Sequence, residues 1–364
     1  MHRAVDELIP LTLLTGFLGS GKTTVLNHLV RQPAFSDVLV IINEFGEIGL
    51  DHLLVARAAD DAVVEMTSGC LCCSIRGDLV QTVKDLHWRY ARGGHRRFSR
   101  LIIETTGLAD PAPILHTLMT VDFIARRYRL DGILTTVDSV NGQQTLMQHP
   151  EAMKQAAVAD CLLLTKPDLA SAEQLEELDK RLARINPGAR QHRVAHGAVD
   201  PRKLLDLGLF DSRAKGSDVK AWLNAEAFLD AGGGHRHGED HVHDGHRHNT
   251  EHAHDVNRHD ERIQAYCVVI DRPLDPGMVD AWLDLLLAMM GQDMLRIKGV
   301  LSLRGEEQPL VIHGVQHIFH PPVRLPAWPE ADRRSKIVFI TRDIPRAVID
   351  ETLDAFLGTW NSRD

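Results

Sequence analysis

The chain has little of what would place it in a membrane, on nucleic acid or outside a cell. Its longest apolar stretches are strand-sized, well short of the ~20 residues that span a bilayer, so no membrane partner is expected. Basic charge is in deficit: 41 Lys and Arg stand against 50 Asp and Glu, a formal net charge of -9. A phosphate backbone needs basic surface, so a nucleic-acid partner is not expected either. The N-terminal "MHRAVDELIPLTLLTGFLG" carries acids and runs straight into glycines, without the layout of a secretory leader. A cytoplasmic protein is expected. Cysteine is scarce, five in 364 residues. In a reducing compartment such thiols, where clustered, point to metal ligands or reactive groups before structural disulfides.

Three of the five do cluster. "EMTSGCLCCSIRGDL" places Cys70, Cys72 and Cys73 within four residues. Adjacent Cα atoms lie ~3.8 Å apart, below the usual disulfide span, so a Cys72–Cys73 bridge would be strained. In an extended segment Cys70 and Cys72 project to one side and can share an ion. Four-coordinate zinc would need further ligands, from Cys73 after a turn, Glu47, a water or a partner. Thiolates favour Zn²⁺, with Co²⁺ or Cu(I) as alternatives, over Mg²⁺ or Ca²⁺. A redox thiol pair and small buried hydrophobes are the competing readings. Cys161 and Cys267 sit in apolar strand patterns and are expected in the core.

Residues 16–23 read "GFLGSGKT", after the apolar run "LTLLT" and before the helical pattern "TTVLNHLVRQ". This GxxxxGK[ST] spacing lets Gly19 and Gly21 turn the backbone N–H groups of Ser20 to Thr23 inward around phosphates. Lys22 reaches the β- and γ-phosphates and the Thr23 hydroxyl binds Mg²⁺. Gly16, Gly19, Ser20, Gly21, Lys22, Thr23 and Thr24 are thus the candidate phosphate-binding residues. "RLIIETTGLADP" is an apolar strand ending in Glu104, a candidate for orienting Mg²⁺ or its water shell. Lys22 and Glu104 are the catalytic candidates. "DCLLLTKPDL" ends another buried strand in the form of a guanine reader. Asp168 would accept from guanine N1 and N2 while the Lys166 stem packs on the ring. Thr165 stands where many such readers have Asn. Glu47, Asp51 and Glu104 are all placed where a water could be oriented, and order along the chain does not choose among them.

With "LLTGFLGSGKTT", "NEFGEIGLD", "GCLCC", "IIETTGLADP" and "LLLTKPDL" in that order, the chain resembles the CobW-like metallochaperone GTPases. The C-terminal "LRIKGVLSLRGEEQPLVIHGVQHIF" resembles the second domain of that family. The resemblance implies an α/β P-loop NTPase domain, a mostly parallel sheet flanked by helices, followed by a smaller α+β domain. It also implies GTP binding, slow Mg²⁺-dependent hydrolysis, and a transition metal at the CxCC motif for delivery to an apo client protein. Zn²⁺ is the metal expected first, with Co²⁺ or Ni²⁺ as alternatives. A cobalt-directed role in cobalamin synthesis and activation of a nitrile hydratase stay open within the family. Some relatives carry an extra carboxylate just before the NEFGE stretch; here that position is Ile42. Outside the family the rivals are a metal buffer with a vestigial phosphate loop and an ATP-using small-molecule kinase.

The expected organisation is a GTPase domain over 1–210, a linker over 211–262 and a C-terminal domain over 263–364. Residues 235–259 hold nine histidines in twenty-five positions, with no apolar periodicity. Such a tract cannot bury a core, and its imidazoles suit metal capture or buffering. Beyond it, "IQAYCVVI" reads as a strand and "DPGMVDAWLDLLLAMM" as a helix started by Asp275 and Pro276. Strands at "LRIKGVLSLRG", "QPLVIHGVQHIFH" and "SKIVFITR" and a helix at "PRAVIDETLDAFL" complete it. His313, His317 and His320 lack ligand spacing and are expected to decorate a strand or a surface. Docking of a partner is the family-level expectation for this domain.

Overall fold

The computed structural model describes residues 8–35, 37–44, 63–67, 74–90, 98–205, 207–208, 216–231 and 262–361. The first domain is built on seven strands: β1 (Ile9–Gly16), β2 (Val38–Glu44), β3 (Val63–Thr67), β4 (Arg100–Glu104), β5 (Tyr128–Asp138), β6 (Cys161–Thr165) and β7 (Arg190–Val194). They form one sheet in the order β3-β2-β4-β1-β5-β6-β7, with every pairing parallel. A parallel sheet needs a crossover between neighbours. These are supplied by α1 (Lys22–Val30), α2 (Ser74–Tyr90), α3 (Pro111–Thr120), α4 (Asp122–Ala125), α5 (Gly142–Gln148), α6 (Pro150–Val158) and α7 (Ala172–Ile185). Helices on both faces explain why β4 and β6 read as unbroken apolar runs: every residue of each is buried. Local chemistry fixes the helix starts. Asp110 caps α3 ahead of Pro111, and Ser171 closes a capping box with Gln174 at the start of α7.

In a doubly wound sheet, ligands bind outside the carboxyl ends of the strands, where the strand order reverses. Here β1 lies between β4 and β5. Gly16, Glu104, Asp138 and Thr165 are the last residues of β1, β4, β5 and β6, so all four come to one edge.

The second domain is antiparallel. Strands β8 (Ile263–Ile270), β9 (Arg296–Leu301), β10 (Leu310–Val315), β11 (Ile318–Phe319), β12 (Val323–Arg324) and β13 (Ser335–Arg342) form a six-stranded sheet ordered β11-β10-β9-β13-β8, with β12 pairing β10. Helices α10 (Pro276–Met290) and α11 (Arg346–Asn361) cover one face. Trp282, Leu286, Ile349 and Leu353 pack there on Tyr266, Ile297 and Phe339. The alternate residues Cys267, Val300, Val338 and Ile340 turn the other way and join the core of the first domain. As expected, Asp275 caps α10, its carboxylate accepting from the Met278 amide.

The segment expected as a linker is partly built. Helices α8 (Gly216–Leu223) and α9 (Ala225–Ala231) lie inside 211–262. Val219, Trp222, Leu223 and Phe228 fall at helical spacing and bury in the shared core, so 216–231 is a wedge between the domains. The histidine tract itself lies outside the described residues.

Charge also joins the domains. Asp160, just before β6, is buried and pairs with Arg296 and, at 3.1 Å, with Lys298, both on β9. The Ile133 amide donates to its second oxygen at 3.0 Å. Arg296 also donates to Val158 O at 3.1 Å, and Lys298 to Trp222 O at 3.3 Å. Burial works to raise the Asp160 carboxyl, but the two cations outweigh it and hold it below its usual range. Burial pushes the Lys298 ammonium down to about 8 against the pull of Asp160. His313 and His320, expected to decorate a strand or a surface, are buried and stacked at 4.4 Å beside this cluster. Burial first, and the Arg296 charge second, lower both imidazoles, His320 to about 3. They are core histidines.

Candidate functional site

The phosphate loop follows β1 directly. Gly16 has φ +140, and a Cβ there would lie 2.2 Å from Thr136 Oγ1 and 2.5 Å from Thr136 O. Glycine is the one residue that fits. Gly19 and Gly21, at φ +71 and +89, carry the chain back to α1. Gly21 is the N-cap of α1 and gives it no side-chain cap bond. The first amides of the helix are therefore left for an anion. Lys22 folds back over the loop, donating to Gly16 O at 3.0 Å and Phe17 O at 3.3 Å. Ser20 Oγ lies 2.6 Å from Thr136 Oγ1, tying the loop to β5. The Thr24 carbonyl lies under Gly197, where a Cβ would come within 2.6 Å of it.

Glu104 is 5% exposed, and its Oε1 accepts from the Thr23 hydroxyl at 3.2 Å. The two residues chosen for Mg²⁺ are thus adjacent. Neighbouring Thr105 is fixed to β1 through Leu14 O at 2.9 Å and Thr15 Oγ1 at 2.8 Å.

The TKPD segment reaches the same edge from β6. The Thr165 hydroxyl donates to Ser20 O at 2.7 Å and to Val137 O at 3.3 Å, so threonine fastens the TKPD turn to the phosphate loop. Lys166, at φ 54, donates to Gly19 O at 2.9 Å and to Asp138 Oδ2 at 2.7 Å. Its stem is therefore stretched across the loop. Burial works to raise the Asp138 carboxyl, but Lys166 and the amides of Val140 and Asn141 hold it below its usual range. Asp168 lies in the turn Pro167–Leu169 that follows, its carboxylate 3.7 Å from His196 Nε2.

The phosphate-loop residues, Glu104, Lys166 and Asp168 are therefore brought together. Four residues of this edge were missed in the sequence. Asp138 carried a legible signal, an acid closing the apolar run "ILTTVD", as Glu104 closes "RLIIE". His196, Gly197 and Gln155 carried none, because only the fold sets them beside the loop.

Cys70, Cys72, Cys73, Glu47 and Asp51 lie outside the described residues. Their flanks do not: the cysteine segment runs from the end of β3 to the start of α2, and Glu47 follows β2. Among the described residues, no group of three or more His, Cys, Asp or Glu could hold a metal ion. Cys161 and Cys267 are buried, and burial raises their thiols to about 12 and about 11, the behaviour of core residues. Among the described residues no helix is long and apolar enough to cross a membrane.

Residues 10–193 match the CobW/HypB/UreG nucleotide-binding domain, and residues 263–357 the cobalamin synthesis protein CobW C-terminal domain. The zinc chaperone YjiA of Escherichia coli is 33% identical over 350 residues, 96% of this chain and 98% of that protein. The zinc chaperone CobW of a Sinorhizobium species is 28% identical over 342 residues, covering 86% and 87%. The crystal structure of the Zn(II)-bound YjiA GTPase from E. coli superimposes with a TM-score of 0.65 at 28% identity, covering 96% of this chain and 99% of that one. With both domains matched in order and this relative covered end to end, the chain belongs to the CobW/HypB/UreG family and carries the CobW C-terminal domain.

Proposed function

We propose that this chain is a GTP-hydrolysing metallochaperone that takes a transition metal, zinc first, at the CxCC segment and passes it to an apo client protein. The observation that carries the reading is the convergence of a phosphate loop, a Thr23–Glu104 pair and the TKPD turn at one sheet edge. GTP fits it: glycines clear the loop, the helix start lacks a side-chain cap, and Asp168 offers two acceptors of the kind guanine N1 and N2 need. Thr23 and Glu104 would hold Mg²⁺ and its water, and the ion would neutralise charge developing on the phosphates. Lys22 would exchange its two loop carbonyls for phosphate oxygens.

The metal half rests on Cys70 and Cys72, with Cys73 and Glu47 as further candidates. Two or three thiolates leave a position open for transfer, where a closed set of four would retain the ion. The segments holding them lie in the chain between the phosphate-loop helix and β4, the region that γ-phosphate and Mg²⁺ order in P-loop GTPases. Coupling is then reciprocal: a tenfold tightening of metal by GTP implies a tenfold tightening of GTP by metal, about 1.4 kcal/mol. The relatives named as zinc chaperones support zinc first.

The test is metal analysis of untagged protein together with GTP turnover under Zn²⁺, Co²⁺ and Ni²⁺, for the natural chain and for Cys70→Ala/Cys72→Ala. Loss of one bound metal in the double variant is expected, with GTP affinity retained in metal-free buffer and the tightening of GTP by added metal lost. Metal content and metal-dependent turnover equal in both proteins would remove the assignment.

A further inference from the structure

We propose that Gln316, in the C-terminal domain, is a positioning residue for GTP hydrolysis in the first domain; this rests on the hydrolysis reading above. The segment it acts on is 105–110, which leads from Glu104 to α3. That segment lies directly on the phosphate loop: a Cβ on Gly107 would come within 2.5 Å of the Leu18 amide nitrogen. Glu104 itself is held by its strand pairings, while the backbone that follows it lies against the phosphate loop, where its placement bears on hydrolysis.

Beyond the bonds of Thr105 to β1, two side chains on α6 and one from the other domain hold the rest of it, 107–110. Gln155, fully buried, donates through Nε2 to Gly107 O at 3.2 Å and to Ala109 O at 3.1 Å. Lys154 pairs with Asp110 at 2.8 Å. Asp110 Oδ1 also accepts from the Ala112 amide at 3.0 Å, capping α3. Across the domain boundary, Gln316 Nε2 lies 3.4 Å from each Asp110 oxygen, a long, shared contact.

The backbone of Gln316 argues that this contact is the reason for the residue. Val315 pairs with Ile318, so Gln316 and His317 form a two-residue hairpin turn, and Gln316 has φ 52. Glycine or asparagine suits such a position, and a longer L-residue there is strained. Strain of this kind persists where the side chain is used. The Gln316 side chain is not a solvent tail: the residue is 6% exposed and its amide faces Asp110. The sheet of the second domain thus reaches the segment that lies on the phosphate loop through the Gln316 amide.

The test compares the full chain with Gln316→Gly and with Asp110→Asn, singly and together. Gln316→Gly relieves the turn and removes the amide, so the unfolding midpoint should hold or rise. GTP turnover should nevertheless fall about three- to tenfold, in kcat and not in KM, with GDP affinity unchanged. In the Asp110→Asn background, Gln316→Gly should add little further loss. Turnover by Gln316→Gly equal to the natural chain overturns the inference. So does a fall in turnover matched by loss of GDP affinity and of folding stability, which marks a merely structural residue. Absence of turnover in the natural chain overturns the hydrolysis reading, and the inference with it.

Discussion

Thr23 and Glu104, 81 positions apart in the chain, meet at 3.2 Å across the phosphate loop. One lies in the first turn of α1 and the other closes a strand, and parallel pairing of β1 with β4 sets them side by side. Thr23→Ala and Glu104→Gln should each lower Mg²⁺-dependent GTP turnover by about 10–100-fold, the scale of lost metal-orienting groups. Titrating Mg²⁺ in a turnover assay checks it. The Mg²⁺ requirement should shift upward in both variants, with guanine preference untouched.

Asp168→Asn should weaken GTP binding by at least about tenfold, because charge-assisted bonds to guanine contribute about 1.5–3 kcal/mol each. Xanthosine triphosphate, which presents an acceptor where guanine has its amino group, should bind the variant better than it binds the natural chain. Competition with a fluorescent nucleotide measures both. An unchanged GTP affinity would remove Asp168 from the base site.

Asp160→Asn leaves Arg296 and Lys298 buried without their carboxylate. Breaking a buried pair on one side costs about 3–5 kcal/mol, so urea unfolding should shift by that amount. A shift below about 1 kcal/mol would mean that water reaches the cluster.

His313 and His320 make stability depend on pH below neutrality. In the unfolded chain each takes a proton near the ordinary 6.5, while in the fold burial and Arg296 keep both neutral, His320 down to about 3. Below pH 6.5 the unfolded state therefore binds more protons. The stabilisation present above 6.5 is lost as pH falls toward those lowered values, by up to about 1.4 kcal/mol per pH unit for each ring. Urea unfolding at pH 7.5, 6.0 and 5.0 reads the slope. His320→Phe, which keeps the stack on His313, should reduce it by about half, leaving the contribution of His313; an unchanged slope would assign the effect elsewhere.

The nucleotide site was legible where a local rule governs it. GFLGSGKT needs glycines at the turn and a helix after it, and "RLIIE" and "CLLLT" are apolar because parallel strands are covered on both faces. The second domain was legible through its helix cap at Asp275 and its strand lengths. The helices at 216–231 were not, since a helical stripe of four apolar residues among charges reads equally as linker until a surface exists for it to cover. His313 and His320 were misplaced for a related reason. A histidine in a strand is exposed or buried according to what packs on that face, and here the first domain does.

Neighbours in the chain were enough to set the phosphate loop, the acids that close apolar strands, and the thiols held within four positions. Which distant groups meet was set by folding. Lys166 with Gly19 and Asp138, Asp160 with Arg296 and Lys298, and Gln316 with Asp110 are joined by strand order and domain packing. The energy of a buried contact depends on burial and distance, and neither is a property of position along the chain.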